Sequence, residues 1–113
     1  MKNLVSAALV WLCASGAFAH SRIESTEPEN GAVLSETPAE ISMTFAKKIR
    51  LTRVDVIFDD KAPFRLDLGD QKSFDRVFTL PLEGMGAGAY HIEWRGLGAD
   101  GHAMQGDFFF SVD

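Results

Sequence analysis

The residues in this chain that can do chemistry are three histidines and one aspartate: His20, His91, His102 and Asp100. What precedes His20 makes it the most telling. Lys2 opens a positive n-region, Leu4 to Phe18 is apolar, and Ala17-Phe18-Ala19 is an A-x-A cleavage site, the plan of a secretory signal. Cleavage after Ala19 leaves His20 as the first residue of the mature chain. An N-terminal histidine brings two nitrogens from one residue, the free α-amine and the imidazole Nδ1, which close a chelate ring on one metal ion. Asp100 and His102 stand two apart in Gly98-Ala99-Asp100-Gly101-His102-Ala103. In an extended or turned backbone, residues i and i+2 point to the same side, so carboxylate and imidazole converge on one ion. His91 lies on the polar face of its strand, opposite Tyr90, Ile92 and Trp94, and reads as a solvent-exposed strand histidine outside the site.

The donor set selects the metal. Three nitrogens and one oxygen in a plane suit a tetragonal Cu(II) ion, one per chain, and Cu(II) heads the divalent affinity order for nitrogen sites. Zinc prefers a closed tetrahedral set, whereas calcium and magnesium want oxygens. The amine, with an ordinary pKa of ~7.7–8.0, and the imidazoles, at ~6.5, bind only when deprotonated. Occupancy is therefore expected to fall as pH drops.

The elements that must position these groups read as short strands. Residues 1 to 19 form the signal, and residues 20 to 113 form one small domain of 94 residues with a single core. Thr26 to Gly31 is a turn cluster in which Asn30-Gly31 suits positive φ. Ile41, Met43 and Phe45 alternate with polar residues, as do Val54, Val56 and Phe58. Further alternating runs hold Phe64, Leu66 and Leu68, then Phe74, Phe78 and Leu80, then Tyr90, Ile92 and Trp94. Gly84 to Gly88 is a loop, and Met104, Phe108, Phe110 and Val112 share one face of the last strand. About seven strands with frequent turns and no helical period predict an all-β sandwich.

Composition narrows the function classes. Cys13, the only cysteine, lies inside the signal, so the mature domain has no disulfide, thiolate metal site or cysteine nucleophile. The core must hold the fold alone, with eight of the nine Phe in the mature part. With Lys2 removed, ten Lys+Arg stand against sixteen Asp+Glu, a formal charge of −6. That balance argues against nucleic acid or an anionic membrane surface as partner. The apolar run of the signal is shorter than the ~20 residues a bilayer span needs, and nothing later is a candidate, so the mature chain is expected not to insert into a membrane.

Taken in order, several motifs resemble the CopC copper-resistance proteins, which are similar to PcoC. They are His20 at the new N-terminus, Ser25-Thr26-x-Pro28-x-Asn30-Gly31-Ala32-Val33-Leu34 and Pro38-Ala39-Glu40-Ile41-x-Met43-x-Phe45. Gly88-x-Tyr90-x-Ile92-x-Trp94-Arg95 and Asp100-Gly101-His102-x-x-x-Gly106-x-Phe108-x-Phe110-x-Val112 complete the set. The resemblance covers the mature chain, with residues 50 to 78 the least diagnostic. It implies a periplasmic, immunoglobulin-like Greek-key β-sandwich or barrel that binds Cu(II) through His20, Asp100 and His102. It also implies a non-enzymatic role in copper carriage or buffering, in homeostasis or resistance, beside an inner-membrane CopD-like transporter. The sequence departs from the family twice. Lys47 stands where some members carry a glutamate close to the metal. No methionine lies between Met43 and Met85, where some members have a Met-rich Cu(I) loop, and Met43 and Met104 are expected to pack in the core.

Two other classes of function compete. An N-terminal histidine with a second histidine also forms the histidine brace of copper oxidases such as the lytic polysaccharide monooxygenases. Those enzymes leave an axial position open for oxygen, whereas Asp100 is expected to fill an equatorial position and hold Cu(II) against reduction. A metal-free sandwich acting as an interaction module is the third class, and it predicts that replacing His20 or His102 changes nothing.

Overall fold

The computed structural model describes residues 23–70 and 72–113, and every regular element among them is a β-strand. The strands are β1 (Ile23–Glu27), β2 (Ala32–Leu34), β3 (Glu40–Phe58) and β4 (Phe64–Arg65), followed by β5 (Asp75–Pro81), β6 (Gly88–Gly98) and β7 (Ala103–Val112). Along the curled sheet the order is β1-β3-β6-β7-β2, with β4 and β5 also paired to β3. The all-β sandwich expected from the strand pattern is the fold observed. The signal, Cys13 and His20 lie outside the described residues.

β3 organises the architecture because it belongs to both halves of the sandwich. Its first residues pair with β1 on one edge and β5 on the other, both antiparallel. From Ile49 onward it pairs with β6, and Asp55 and Val56 also meet β4. The side-chain parity changes along the strand. Ile41, Met43 and Phe45 are buried, then Ile49 and Leu51, and after that Val54, Val56 and Phe58. A register irregularity between Leu51 and Arg53 accounts for the switch, since one extra residue moves the buried set from odd to even positions. The two alternating runs read from the sequence are therefore one 19-residue strand.

Two short strands lack a period-2 signal in the sequence. β1 takes in Thr26 and Glu27, so the turn begins only at Pro28. β2 lies parallel to β7, with Ala32 opposite Phe110 and Leu34 opposite Val112. The turn between them is bonded directly to β7. The Asn30 side chain accepts the Phe109 N–H at 2.9 Å, and the Gly31 N–H donates to the Phe109 carbonyl at 2.7 Å. Gly31 has φ +87°, as expected for the turn. The run predicted over 64–68 shortens to two paired residues, though Leu66 and Leu68 still pack against the core.

Aromatic rings fill the core. Tyr90 stacks on Phe110 with centroids 4.9 Å apart, and Phe45 meets Trp94 edge-on at 4.9 Å. Met43 and Met104 are buried, as predicted. Five phenylalanines (Phe45, Phe58, Phe78, Phe108 and Phe110) are in the core, whereas Phe74 and Phe109 are exposed. Trp94 lies over Gly106, its cross-strand partner. A Cβ there would sit 2.7 Å from the indole ring, so only glycine admits it. This packing ties β6 to β7 just before they meet at the hairpin that carries Asp100 and His102.

Candidate metal centre

The hairpin between β6 and β7 is closed by its own backbone. The Gly98 N–H donates to the His102 carbonyl at 2.9 Å, and the Gly101 N–H to the Gly98 carbonyl at 2.9 Å. Gly101 takes φ +89°, a left-handed conformation that side-chain-bearing residues resist. The turn thus demands glycine between the two chemically active residues and turns both side chains outward.

Within the turn Asp100 grips His102 twice. Its Oδ1 accepts the His102 backbone N–H at 3.1 Å, and its Oδ2 stands 2.9 Å from the ring Nδ1. The backbone bond, and after it the bond to the ring, hold the Asp100 carboxyl below the usual aspartate range. A carboxylate on Nδ1 selects the tautomer with its proton there, leaving the Nε2 lone pair open. Both side chains face solvent, His102 at 70% exposure and Asp100 at 62%. The pair is open to solvent, with the ring Nε2 free and the carboxylate engaged on Nδ1.

Sequence reasoning gave no role to Gly98, yet the geometry does. A Cβ at Gly98 would lie 2.9 Å from Asp100 Oδ1, so a side chain there displaces the carboxylate that aligns the ring. In the sequence it is only the first glycine of the hexapeptide, and its role rests on the Asp100 rotamer, which spacing does not show. Lys47 and Lys48 are exposed on β3 just before Ile49, the register partner of Gly98. They precede the same end of the sheet as the hairpin.

Asp100 and His102 stand side by side on the hairpin, bonded to each other. Among the described residues no group of three or more His, Cys, Asp or Glu side chains is placed to hold a metal ion. A complete donor set therefore needs a further contributor, and the predicted one, His20, lies outside the described residues. His91 is not part of the hairpin, since from His91 to Leu97 the strand climbs roughly 20 Å. Its environment differs from the exposed position expected. The ring is half-buried, stacks on Phe109 with centroids 4.2 Å apart, and meets Asp107 Oδ2 through Nε2 at 2.8 Å. Alternation shows which face a residue takes, but not how neighbouring strands cover it.

The sequence matches the family described as the CopC domain over residues 23–113. It is 26% identical over 110 residues to copper resistance protein C of Xanthomonas campestris pv. juglandis, covering 89% of this chain and 86% of that protein. Copper resistance protein C of Escherichia coli is 22% identical over 121 residues, covering 98% and 95%. Among solved structures, CopC from Methylosinus trichosporium OB3b superposes with a TM-score of 0.64 at 21% identity, covering 83% of this chain and 94% of that one. PcoC, a methionine-rich copper resistance protein from Escherichia coli, gives 0.59 at 21% identity, covering 84% and 100%. With the family match spanning all of the described strands, and with the fold shared, this chain belongs to the CopC family.

Proposed function

We propose that this protein is exported to the periplasm, is cut after Ala19, and there carries or buffers one Cu(II) ion without catalysing a reaction. The ion is held by the α-amine and imidazole of His20, by His102 and by Asp100. The observation that carries this reading is the Asp100–His102 pair, bonded together and open to solvent on a hairpin closed by its own backbone. The copper-resistance names of two relatives that span most of the chain agree with it.

The chemistry follows from the donors. His102 and Asp100 would give two donors of a tetragonal set, and a mature N-terminal histidine would give the other two as a single chelate. The two ring nitrogens of His102 point to opposite sides. A carboxylate held on Nδ1–H does not reach an ion on Nε2 of the same ring. Asp100 therefore releases the ring when it becomes a ligand, and the ion replaces a proton as its partner. With Lys47 where some relatives place a glutamate, no second carboxylate is expected at the ion. An inner-membrane CopD-like transporter is the partner we propose for the loaded protein.

The test is titration of the exported protein with Cu(II), after mass spectrometry has fixed its N-terminus. Tight one-to-one binding that is lost in His102→Ala supports the proposal. Binding unchanged by His102→Ala contradicts it.

A further inference from the structure

The end of the sheet beside the hairpin collects cations that the chain itself does not neutralise. Lys48 and Arg50 flank the buried Ile49 on β3, so both side chains lie on the face away from the core. Lys47 is exposed beside them. Arg50 stands opposite Leu97 on β6, and Leu97 stands opposite Ala103, one residue past His102. Arg95 lies two residues before Leu97 on the same face, a diagonal neighbour of Arg50 at about 8 Å between backbones. Its direct cross-strand partners are Arg53 and Gln105, neither of them acidic.

Carboxylates are shared unevenly among these cations. Arg53 and Arg65 both pair with Asp55, and Arg76 pairs with Glu24. Lys47, Lys48, Arg50 and Arg95 have no carboxylate partner among the described residues. Arg50 carries a second deficit, because its Nε is buried without a hydrogen-bond partner. An unmet buried donor on a charged group is unfavourable, and an acceptor that draws the guanidinium off the sheet relieves it. A carboxylate fits best, since it takes two parallel N–H bonds from one guanidinium. Next to this patch the charge reverses. Glu93 lies two residues before Arg95 and faces Asp107, and all three line a shallow groove of about 350 Å³. The nearest cationic group to Glu93 is the His91 ring, at 4.0 Å.

We propose that this patch docks an extended acidic segment of a partner protein, with two carboxylates on alternate residues and a lysine or arginine two residues further on. The spacing comes from the sheet. Alternate residues of an extended chain stand roughly 6.7 Å apart, the same interval as successive residues on one face of β6. A segment laid along β6 brings its first carboxylate to Arg50 and Lys48, its second to Arg95 and its cation to Glu93. Charge selects a short segment over an extended polyanion. The chain without residues 1 to 19 carries a formal −6, and acidic residues border the patch. A membrane surface or a nucleic acid is therefore repelled, whereas a segment that ends in a cation is not. The docked segment lies against Leu97 and Ala103, which holds the partner at the end of the sheet that carries His102. This docking does not depend on the copper reading, and metal-free protein tests it.

The experiment is an amide NMR titration of the metal-free protein, held at one low concentration, with the peptide acetyl-Glu-Thr-Glu-Thr-Lys-amide. The peptide is raised to about 10 mM, the range in which a few exposed ion pairs register. Shifts are expected to saturate, to concentrate in residues 48–50, 93–97 and 103–105, and to shrink in about 0.5 M NaCl. Arg50→Gln and Arg95→Gln are each expected to weaken binding about two- to five-fold, with the spectrum elsewhere unchanged. Arg95→Glu is expected to reverse the preference and bind acetyl-Glu-Thr-Lys-Thr-Lys-amide more tightly than the first peptide. The other occupants are tested with acetyl-Lys-Thr-Lys-Thr-Glu-amide, with inorganic phosphate and with vesicles of phosphatidylglycerol. Equal shifts from any of these three overturn the proposal. So does an acidic peptide that shifts no resonance, shifts a different face, or binds the variants like the parent.

Discussion

Asp100 holds His102 by both its backbone and its ring, at 3.1 and 2.9 Å, so one carboxylate sets the position and the tautomer of the imidazole beside it. This relationship lies wholly within the β6–β7 hairpin and exists before any ion arrives. In the proposed copper site it fixes the ring until the ion takes the place of the Nδ1 proton on the carboxylate.

Removing the charge that aligns the ring should weaken the ion more than the fold. Asp100→Asn is expected to lower Cu(II) affinity by more than the roughly 10–100-fold that follows loss of a group that only orients a metal ligand, because the carboxylate is also a proposed donor. Isothermal titration of the variant measures the loss, and its thermal midpoint, expected near that of the parent, shows that the fold is not the cause.

The depressed Asp100 pKa has a definite sign. A carboxyl whose folded value lies below its unfolded one contributes stability above the unfolded value, about 3.9, and loses it as pH falls through the lowered folded value. Carbon-detected NMR titration of the metal-free protein should give an Asp100 midpoint below ordinary aspartate. In His102→Ala the ring is gone while the backbone N–H remains, so the midpoint should rise only part of the way.

Gly98→Ala separates alignment from stability. The added Cβ meets Asp100 Oδ1, the end of an exposed side chain that can turn aside with little strain. Copper affinity should fall while the free energy of unfolding changes by less than about 1 kcal/mol, because the other neighbours of a Cβ at the buried Gly98, Met104 and the His102 carbonyl, lie at ordinary contact distances. Gly106→Ala has the opposite pattern. Its Cβ would meet the buried Trp94 ring at 2.7 Å, an overpacking that should cost about 1–3 kcal/mol on chemical denaturation.

The fold was legible wherever burial follows a simple period. Tyr90, Ile92 and Trp94 on β6, and Phe108, Phe110 and Val112 on β7, alternate cleanly and are buried as read. β3 appeared as two strands because the irregularity between Leu51 and Arg53 changes the parity of its buried residues midway. β1 and β2 were missed for a different reason. They are short and lie at the ends of the strand order, where pairing with β3 and β7 rather than local pattern makes them strands. In the site, Asp100 and His102 were legible from their two-residue spacing. The role of Gly98 was not, since it depends on the Asp100 rotamer across the turn. The stacking of His91 on Phe109 depends likewise on the β6–β7 register.

The central claim is that His20 binds copper through its α-amine as well as its ring. The most direct measurement compares Cu(II) affinity for the protein beginning at His20 with that for the same protein carrying one extra residue before it. The extension turns the amine into an amide and leaves Asp100 and His102 untouched. A large loss of affinity and a changed Cu(II) spectrum are expected on extension. Equal, tight binding by both forms would contradict the claim.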